Sequence, residues 1–136
     1  MVKDIHDMHV KYGVHEWVQK QMISKNYRAL RQFLDFRLDF IEEEFDETLK
    51  ATHLDKNPEE IVDGLIDIIV VALGTLDAFG VDAQKAWDEV YNANMAKEVG
   101  VKPERPNPLG LPDLIKPTGW RAPSHDGNHG CFTDFI

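Results

Sequence analysis

Apolar positions recur with the period of an α-helix over most of the first 100 residues. Together with start and stop signals, this pattern predicts three helices, over residues 24–51, 57–79 and 82–99. Ser24 or Asn26 caps the first, Asn57 followed by proline begins the second, and Gly80 ends it. Further helical turns are expected around Gly13. No alternating strand pattern extends beyond a few residues, so the predicted fold class is all-α.

The composition changes near residue 100, because six of the seven prolines lie beyond it. Proline removes a backbone donor and disfavours helix at the residue before it. We therefore expect a helical catalytic domain over residues 1–100. An extended, irregular, Pro-rich tail over residues 101–136 would pack on that domain or on a neighbouring protomer.

The second predicted helix is apolar at nearly every position from 61 to 76, which is typical of a helix that is buried on all sides. A single protomer with three long helices would leave this surface incompletely covered. We therefore expect a homodimer or homotetramer, in which helices of two protomers complete one bundle and both chains contribute to the active site.

The net charge of −9 is concentrated in one quarter of the chain. Residues 34–67 hold 12 of the 24 acidic residues and only 3 of the 15 basic ones. This balance argues against binding of a nucleic acid polymer through its phosphates. The single cysteine suggests a reducing compartment. No signal-peptide pattern is seen, and the most apolar run, 65–76, is shorter than the roughly 18 residues of a membrane span. A soluble cytoplasmic protein is expected, located in the host cytoplasm if it is phage-encoded.

Several carboxylates fall on apolar helix faces. At about 100° per residue, Glu44 and Glu47 follow Phe40 on successive turns. Asp63 and Asp67 share one face of the apolar second helix. Such acids could form an ordinary hydrated surface, but Arg37 is the only strong candidate for a neutralising cation in these helices. Paired carboxylates on two helices are typical of a Mg²⁺ or Mn²⁺ site.

Histidine is absent from these positions, which disfavours a zinc site or a Glu-x-x-His di-iron site there. His6 and His9 have only a weak i, i+3 spacing, and His15 follows farther along the chain. We expect ordinary packing or solvent exposure for these three side chains rather than metal ligation.

Four stretches together resemble the MazG-like all-α nucleoside triphosphate pyrophosphohydrolases. They are Glu-Glu-x-x-Glu at 43–47, Asp-Gly-Leu-Ile-Asp with its apolar continuation at 63–74, Asn-Ala-Asn-Met-Ala-Lys at 92–97, and Lys-Pro-Thr-Gly-Trp at 116–120. One position departs from the pattern, because many members have Glu-x-x-Asp in the second helix. Here Gly64 stands three residues before Asp67, and the carboxylate is at Asp63.

The resemblance implies hydrolysis of (d)NTP to (d)NMP and pyrophosphate in nucleotide-pool control, with two or three Mg²⁺ or Mn²⁺ ions. It implies metal binding by Glu44, Glu47, Asp63 and Asp67. Glu43 is the candidate for positioning or deprotonating the attacking water. The candidate substrate-binding residues are Arg37, Asn94, Lys97 and Lys116. Lys97 has a second interpretation as a favourable charge at a helix C-terminus.

The sequence does not determine which nucleobase the substrate carries. Phage relatives that remodel the deoxynucleotide pool suggest a purine (dGTP) preference, and a dUTP or modified-nucleotide pyrophosphatase is the nearest enzymatic alternative. A non-catalytic helical dimerisation or binding protein is the alternative from another class. It predicts metal or partner binding without chemistry, and tolerance of Glu47→Gln.

Overall fold

The computed structural model describes all 136 residues, and most of them are helical. The elements in chain order are α1 Val2–Tyr12, α2 Val14–Ile23, α3 Tyr27–Lys50, α4 Pro58–Ala78, α5 Ala83–Met95, β1 Glu98–Gly100, β2 Asp113–Ile115 and α6 Phe132–Phe135. A π-helical turn, Ala51–Asp55, extends the end of α3. The predicted all-α class agrees with this architecture.

The two long helices begin where their caps predict. The side chain of Asn26 accepts a hydrogen bond from the backbone N–H of Ala29 at the start of α3. The side chain of Asn57 accepts one from Glu59 at the start of α4, where Pro58 takes the first helical position. At the other end of α4, Gly80 has a φ of 77°, in the left-handed region that ends helices. Local chemistry therefore determines both helices, as predicted.

The chain forms two compact units. The first contains residues 1–83 and 129–136, and the second contains residues 84–128. This grouping follows spatial contacts rather than composition. It places the last eight residues of the chain with the N-terminal helices, whereas the composition predicts a division near residue 100.

The core of the first unit is centred on Phe79, whose ring is fully buried with Leu30 and Phe135. The Phe79 ring centroid lies 5.4 Å from that of Phe135 and 5.6 Å from that of Phe33. The backbone N–H of Cys131 donates to the carbonyl of Phe79 at 2.8 Å. The tail, for which irregular structure is predicted, ends in the short helix α6, and two aromatic residues of this helix gain burial by folding onto the core.

In the second unit, α5 ends at Met95, and the predicted continuation of this helix to residue 99 is wrong. Residues of β1 instead pair antiparallel with β2, with Glu98 opposite Ile115 and Gly100 opposite Asp113. A side chain at Gly100 would collide with that of Ile115. The strand depends on a partner that is remote in sequence, so no local helical pattern could reveal it.

One face of α4 is exposed in the single chain, as expected of an apolar helix that one protomer covers incompletely. Val62, Leu65 and Ile66 are each more than half exposed, as is Phe45 of α3. By length and apolar content, no single helix could cross a membrane. Only the bent pair of α4 and α5, taken together across the break between them, has the length and apolar content of a membrane span.

Candidate metal centre

Four acids predicted to bind metal line one cavity of the first unit, of about 710 Å³. Glu44 and Glu47 lie one turn apart on α3, and Asp63 and Asp67 lie one turn apart on α4. The cavity also reaches the π-helical turn and the start of α4. The structure thus brings these four carboxylates together, as the spacing predicts.

The electrostatics of the cavity are those of unneutralised carboxylates. The pKa of Glu44 is raised above its ordinary value, first by desolvation and then by the negative charges of Asp67, Glu47, Glu43 and Asp63. None of the four cavity acids forms an ion pair with a basic side chain. Two lysines, Lys50 and Lys56, also line the cavity, but neither forms an ion pair with these four acids, and the Nζ of Lys50 lies 3.7 Å from the carboxylate of Asp55. A divalent cation with oxygen ligands fits this donor set.

The departure at Gly64 has a steric cause. Gly64 is buried, and a Cβ there would collide with the hydroxyl group of Thr48. That hydroxyl donates to the backbone carbonyl of Glu44 at 2.8 Å, one turn earlier on α3. The hydroxyl group of Thr48 therefore occupies the space that a side chain at position 64 would need. A carboxylate of α4 reaches the cavity from position 63 instead.

Glu43 is exposed and does not line the cavity, although its charge contributes to the raised pKa of Glu44. The assignment of Glu43 to the attacking water stays a prediction.

Arg37 also lies outside the acidic cavity. Its Nη2 donates to the carbonyl of Val71 at 2.9 Å, and its Nε donates to the Thr75 hydroxyl at 3.2 Å. A Cβ at Gly74 would lie 2.7 Å from Nη2, so the missing side chain leaves space for the guanidinium. Arg37 thus joins α3 to α4, and its predicted contact with substrate phosphates stays a prediction.

The other three predicted substrate-binding residues lie together in the second unit. Lys97 Nζ donates to Asn94 Oδ1 at 2.8 Å and lies 5.3 Å from the centroid of the Trp120 ring. Lys116 Nζ lies 4.7 Å from the same ring, so both lysines make cation–π contacts with it. The indole N–H of Trp120 donates to the carbonyl of Ala93 at 2.6 Å. The result is a cationic cluster built around one aromatic ring.

Three histidines cluster around Asp77 of α4, an arrangement that the sequence pattern does not predict. His6 Nδ1 lies 2.9 Å from Asp77 Oδ1, while His9 Nδ1 and His15 Nε2 lie 2.9 Å and 2.7 Å from Oδ2. Burial alone would raise the pKa of Asp77, but the three hydrogen bonds outweigh it and the pKa is lowered. The only sequence signal was the i, i+3 spacing of His6 and His9, since the carboxylate lies about 70 residues away.

Comparison with protein families gives one match. Residues 17–94 match the sequence model of a family described as phosphoribosyl-ATP pyrophosphohydrolase. The matched segment is more than half of the chain and contains the four cavity acids, Glu43, Arg37 and Asn94, whereas the three histidines and both lysines lie outside it. No curated protein matches the chain significantly.

Proposed function

Since the chain belongs to the phosphoribosyl-ATP pyrophosphohydrolase family, which is related to the MazG-like nucleoside triphosphate pyrophosphohydrolases, we propose that it hydrolyses (d)NTP to (d)NMP and pyrophosphate. Membership makes it a hydrolase of phosphoric anhydride bonds. The observation that carries the proposal is the cavity in which four carboxylates from two helices meet, none of them in an ion pair with a basic side chain.

Glu44, Glu47, Asp63 and Asp67 are the proposed ligands of two or three Mg²⁺ or Mn²⁺ ions. The pKa of Glu44 is raised first by desolvation and then by neighbouring negative charges, and a bound cation would offset those charges. When bound, such ions supply positive charge to phosphate oxygens and acidity to a water molecule. The four carboxylates would hold the ions in position. Because they offer only oxygen ligands, they favour Mg²⁺ or Mn²⁺ over softer metals.

Glu43 is proposed to take the proton from the water that attacks the α-phosphorus, because it lies beside the cavity acids without lining the cavity. Lys97 and Lys116 supply donors of the kind that binds phosphate oxygens, and Asn94 is held beside Lys97. Arg37 has Nη1 left over after its bonds to α4, and we propose that this group also meets the outer phosphates.

We propose a homodimer or homotetramer assembled on the exposed apolar face formed by Val62, Leu65, Ile66 and Ile69 of α4. Exposed apolar side chains this close together on one helix favour burial against another protein surface. The proposed partner is a second copy of the chain, because packing two such faces against each other would complete a helical bundle.

The proposal also extends to the identity of the substrate. A purine deoxynucleotide such as dGTP is the first candidate, and dUTP or a modified nucleotide is the second. The family description adds phosphoribosyl-ATP, which contains the same type of phosphoric anhydride bond.

The test is a panel of dNTPs, NTPs and phosphoribosyl-ATP, offered to the full chain with Mg²⁺ or Mn²⁺. Pyrophosphate is the expected product, rather than orthophosphate, and Asp67→Asn should abolish its release. Asp35→Asn is the matched control, since Asp35 is an exposed acid of α3 outside the cavity. Absence of turnover with every substrate, or undiminished turnover in Asp67→Asn, would overturn the proposal in favour of a non-catalytic binding protein.

A further inference from the structure

We propose that Asp77, His6 and His15 form a second metal site, which takes a transition-metal ion of the zinc type. Their ligand atoms, one carboxylate oxygen and two imidazole nitrogens, all lie within 4.8 Å of one another. They come from α4, α1 and α2, so the site joins three helices of the first unit. None of the three lines the acidic cavity.

The turn at Gly13 brings the two histidines together. Gly13 has a φ of 71°, a left-handed conformation that favours glycine, and it separates α1 from α2. The reversal places the rings of His6 and His15 with their centroids 4.7 Å apart, beside one carboxylate. Two imidazoles from different helices thus meet one carboxylate of a third helix. A single histidine would be enough to hydrogen-bond this carboxylate, whereas the second one adds a further potential metal ligand.

The hydrogen bonds of the cluster are compatible with metal binding. A neutral imidazole carries its proton on either nitrogen, so the nitrogen that faces Asp77 can offer a lone pair when the proton is on the other one. The ring of His6 is half exposed and that of His15 is partly exposed, whereas the carboxylate of Asp77 is only 13% exposed. A cation can therefore enter from the histidine side, and water can complete its coordination.

His9 has a positioning role in this proposal. Its side chain is nearly buried, and its Nδ1 lies 2.9 Å from the same oxygen of Asp77 that His15 approaches. By donating its Nδ1–H to this oxygen, it would fix the carboxylate toward His6 and His15, as outer hydrogen bonds commonly do for metal ligands.

The ligand chemistry selects the ion. Two imidazoles and one carboxylate, with a position left for water, are a donor set for Zn²⁺ and similar first-row ions, whereas Mg²⁺ prefers oxygen ligands. The two proposed sites should therefore take different metals. Because the histidine site does not depend on pyrophosphohydrolase activity, either proposal can fail without the other.

The test is a titration of the metal-stripped full chain with Zn²⁺, in excess Mg²⁺ to occupy the acidic cavity. A chromophoric chelator measures the affinity, and the nitrogen NMR shifts of the imidazoles identify the ligands. We expect one tightly bound equivalent, with shifts at His6 Nδ1 and His15 Nε2. His6→Gln and His15→Gln should each weaken binding about 10-fold or more, since even outer-shell changes cost about that much.

His129→Gln is the matched control, because His129 is an exposed histidine of the same unit outside the cluster. It should bind Zn²⁺ like the wild type. Zn²⁺ should raise the unfolding temperature of the wild type and of His129→Gln but not that of His15→Gln, while far-UV circular dichroism establishes that each variant is folded. Equal affinity in all four proteins, or no bound equivalent in the wild type, would overturn the proposal.

Discussion

Gly64 of α4 lies directly against the hydroxyl group of Thr48 of α3, which leaves no room for a side chain at position 64. The contact lies beside the acidic cavity, which Gly64 also lines. It sets how closely the two acid-bearing helices approach.

Gly64→Ala is expected to destabilise the protein even though alanine is the better helix former. Overpacking of this kind costs about 1–3 kcal/mol, against about 1 kcal/mol gained in helix propensity. Urea unfolding measures the difference. The double variant Gly64→Ala, Thr48→Ala removes the obstructing hydroxyl group and should recover the stability lost through the collision. If the alanine is equally tolerated beside threonine, the close contact does not constrain the helices.

Asp67→Asn should lower the pKa of Glu44 toward its ordinary value. Desolvation is the first cause of the raised pKa and stays in the variant, but the charge of Asp67 is the first of the Coulombic causes and is removed. Carboxyl NMR shifts of Glu44 measured against pH in metal-free protein check this. Asp39→Asn, an exposed change on the outside of α3, should leave the titration of Glu44 unaltered.

His9 should make the protein less stable as the pH falls. Burial lowers the pKa of His9 below its ordinary value of 6.5, against the opposing effect of Asp77. The unfolded chain therefore binds the proton more readily, so the contribution of His9 is complete above its unfolded pKa and declines as the pH falls toward the folded pKa. Arg37 and His15 add to this effect, because their positive charges also disfavour protonation of His9.

The measurement is the free energy of unfolding of the metal-free protein at about pH 7.5 and about pH 5.5. The loss of stability between these values should be smaller in His9→Gln than in the wild type. His53→Gln, an exposed change in the π-helical turn, should retain the full loss. An identical loss in His9→Gln would show that His9 does not carry the effect.

Lys97→Met should weaken nucleotide binding with little effect on folding. A charge-assisted hydrogen bond to phosphate contributes about 1.5–3 kcal/mol, which corresponds to an increase in KM of about 10- to 100-fold. Steady-state kinetics on the best substrate of the panel test this. Lys85→Met, at an exposed position of α5, is the control and should leave KM unchanged. Similar KM values in both variants would limit the role of Lys97 to its contacts with Trp120 and Asn94.

Ile66→Glu should convert the assembled protein to monomers. Ile66 is 51% exposed in the protomer, so a charge is tolerated there in a single chain but opposes burial in an interface. Light scattering coupled to size-exclusion chromatography gives the molecular mass. Leu54→Glu alters an exposed residue of the π-helical turn and should leave the mass unchanged. An unaltered mass in Ile66→Glu would place any interface elsewhere.

The sequence by itself determined the long helices and the grouping of the acids. Asn26 and Asn57 cap α3 and α4 through hydrogen bonds to residues two or three positions away, so the neighbouring sequence is enough to predict their effect. The carboxylates of each helix share a face because the helical period places them there. Because the connection between these two helices is short, the helices are expected to pack side by side, and their acids are expected to share one cavity.

Only the tertiary structure decided which distant residues meet. Asp77 and His6 are 71 residues apart in the sequence, and β1 pairs with β2 on the far side of a Pro-rich loop. Phe135 is buried because the end of the chain folds onto Phe79, although the composition of the tail predicts irregular structure. These contacts depend on packing and long-range pairing, which periodicity within one helix does not encode. The acids were therefore predictable, whereas the histidine cluster was not.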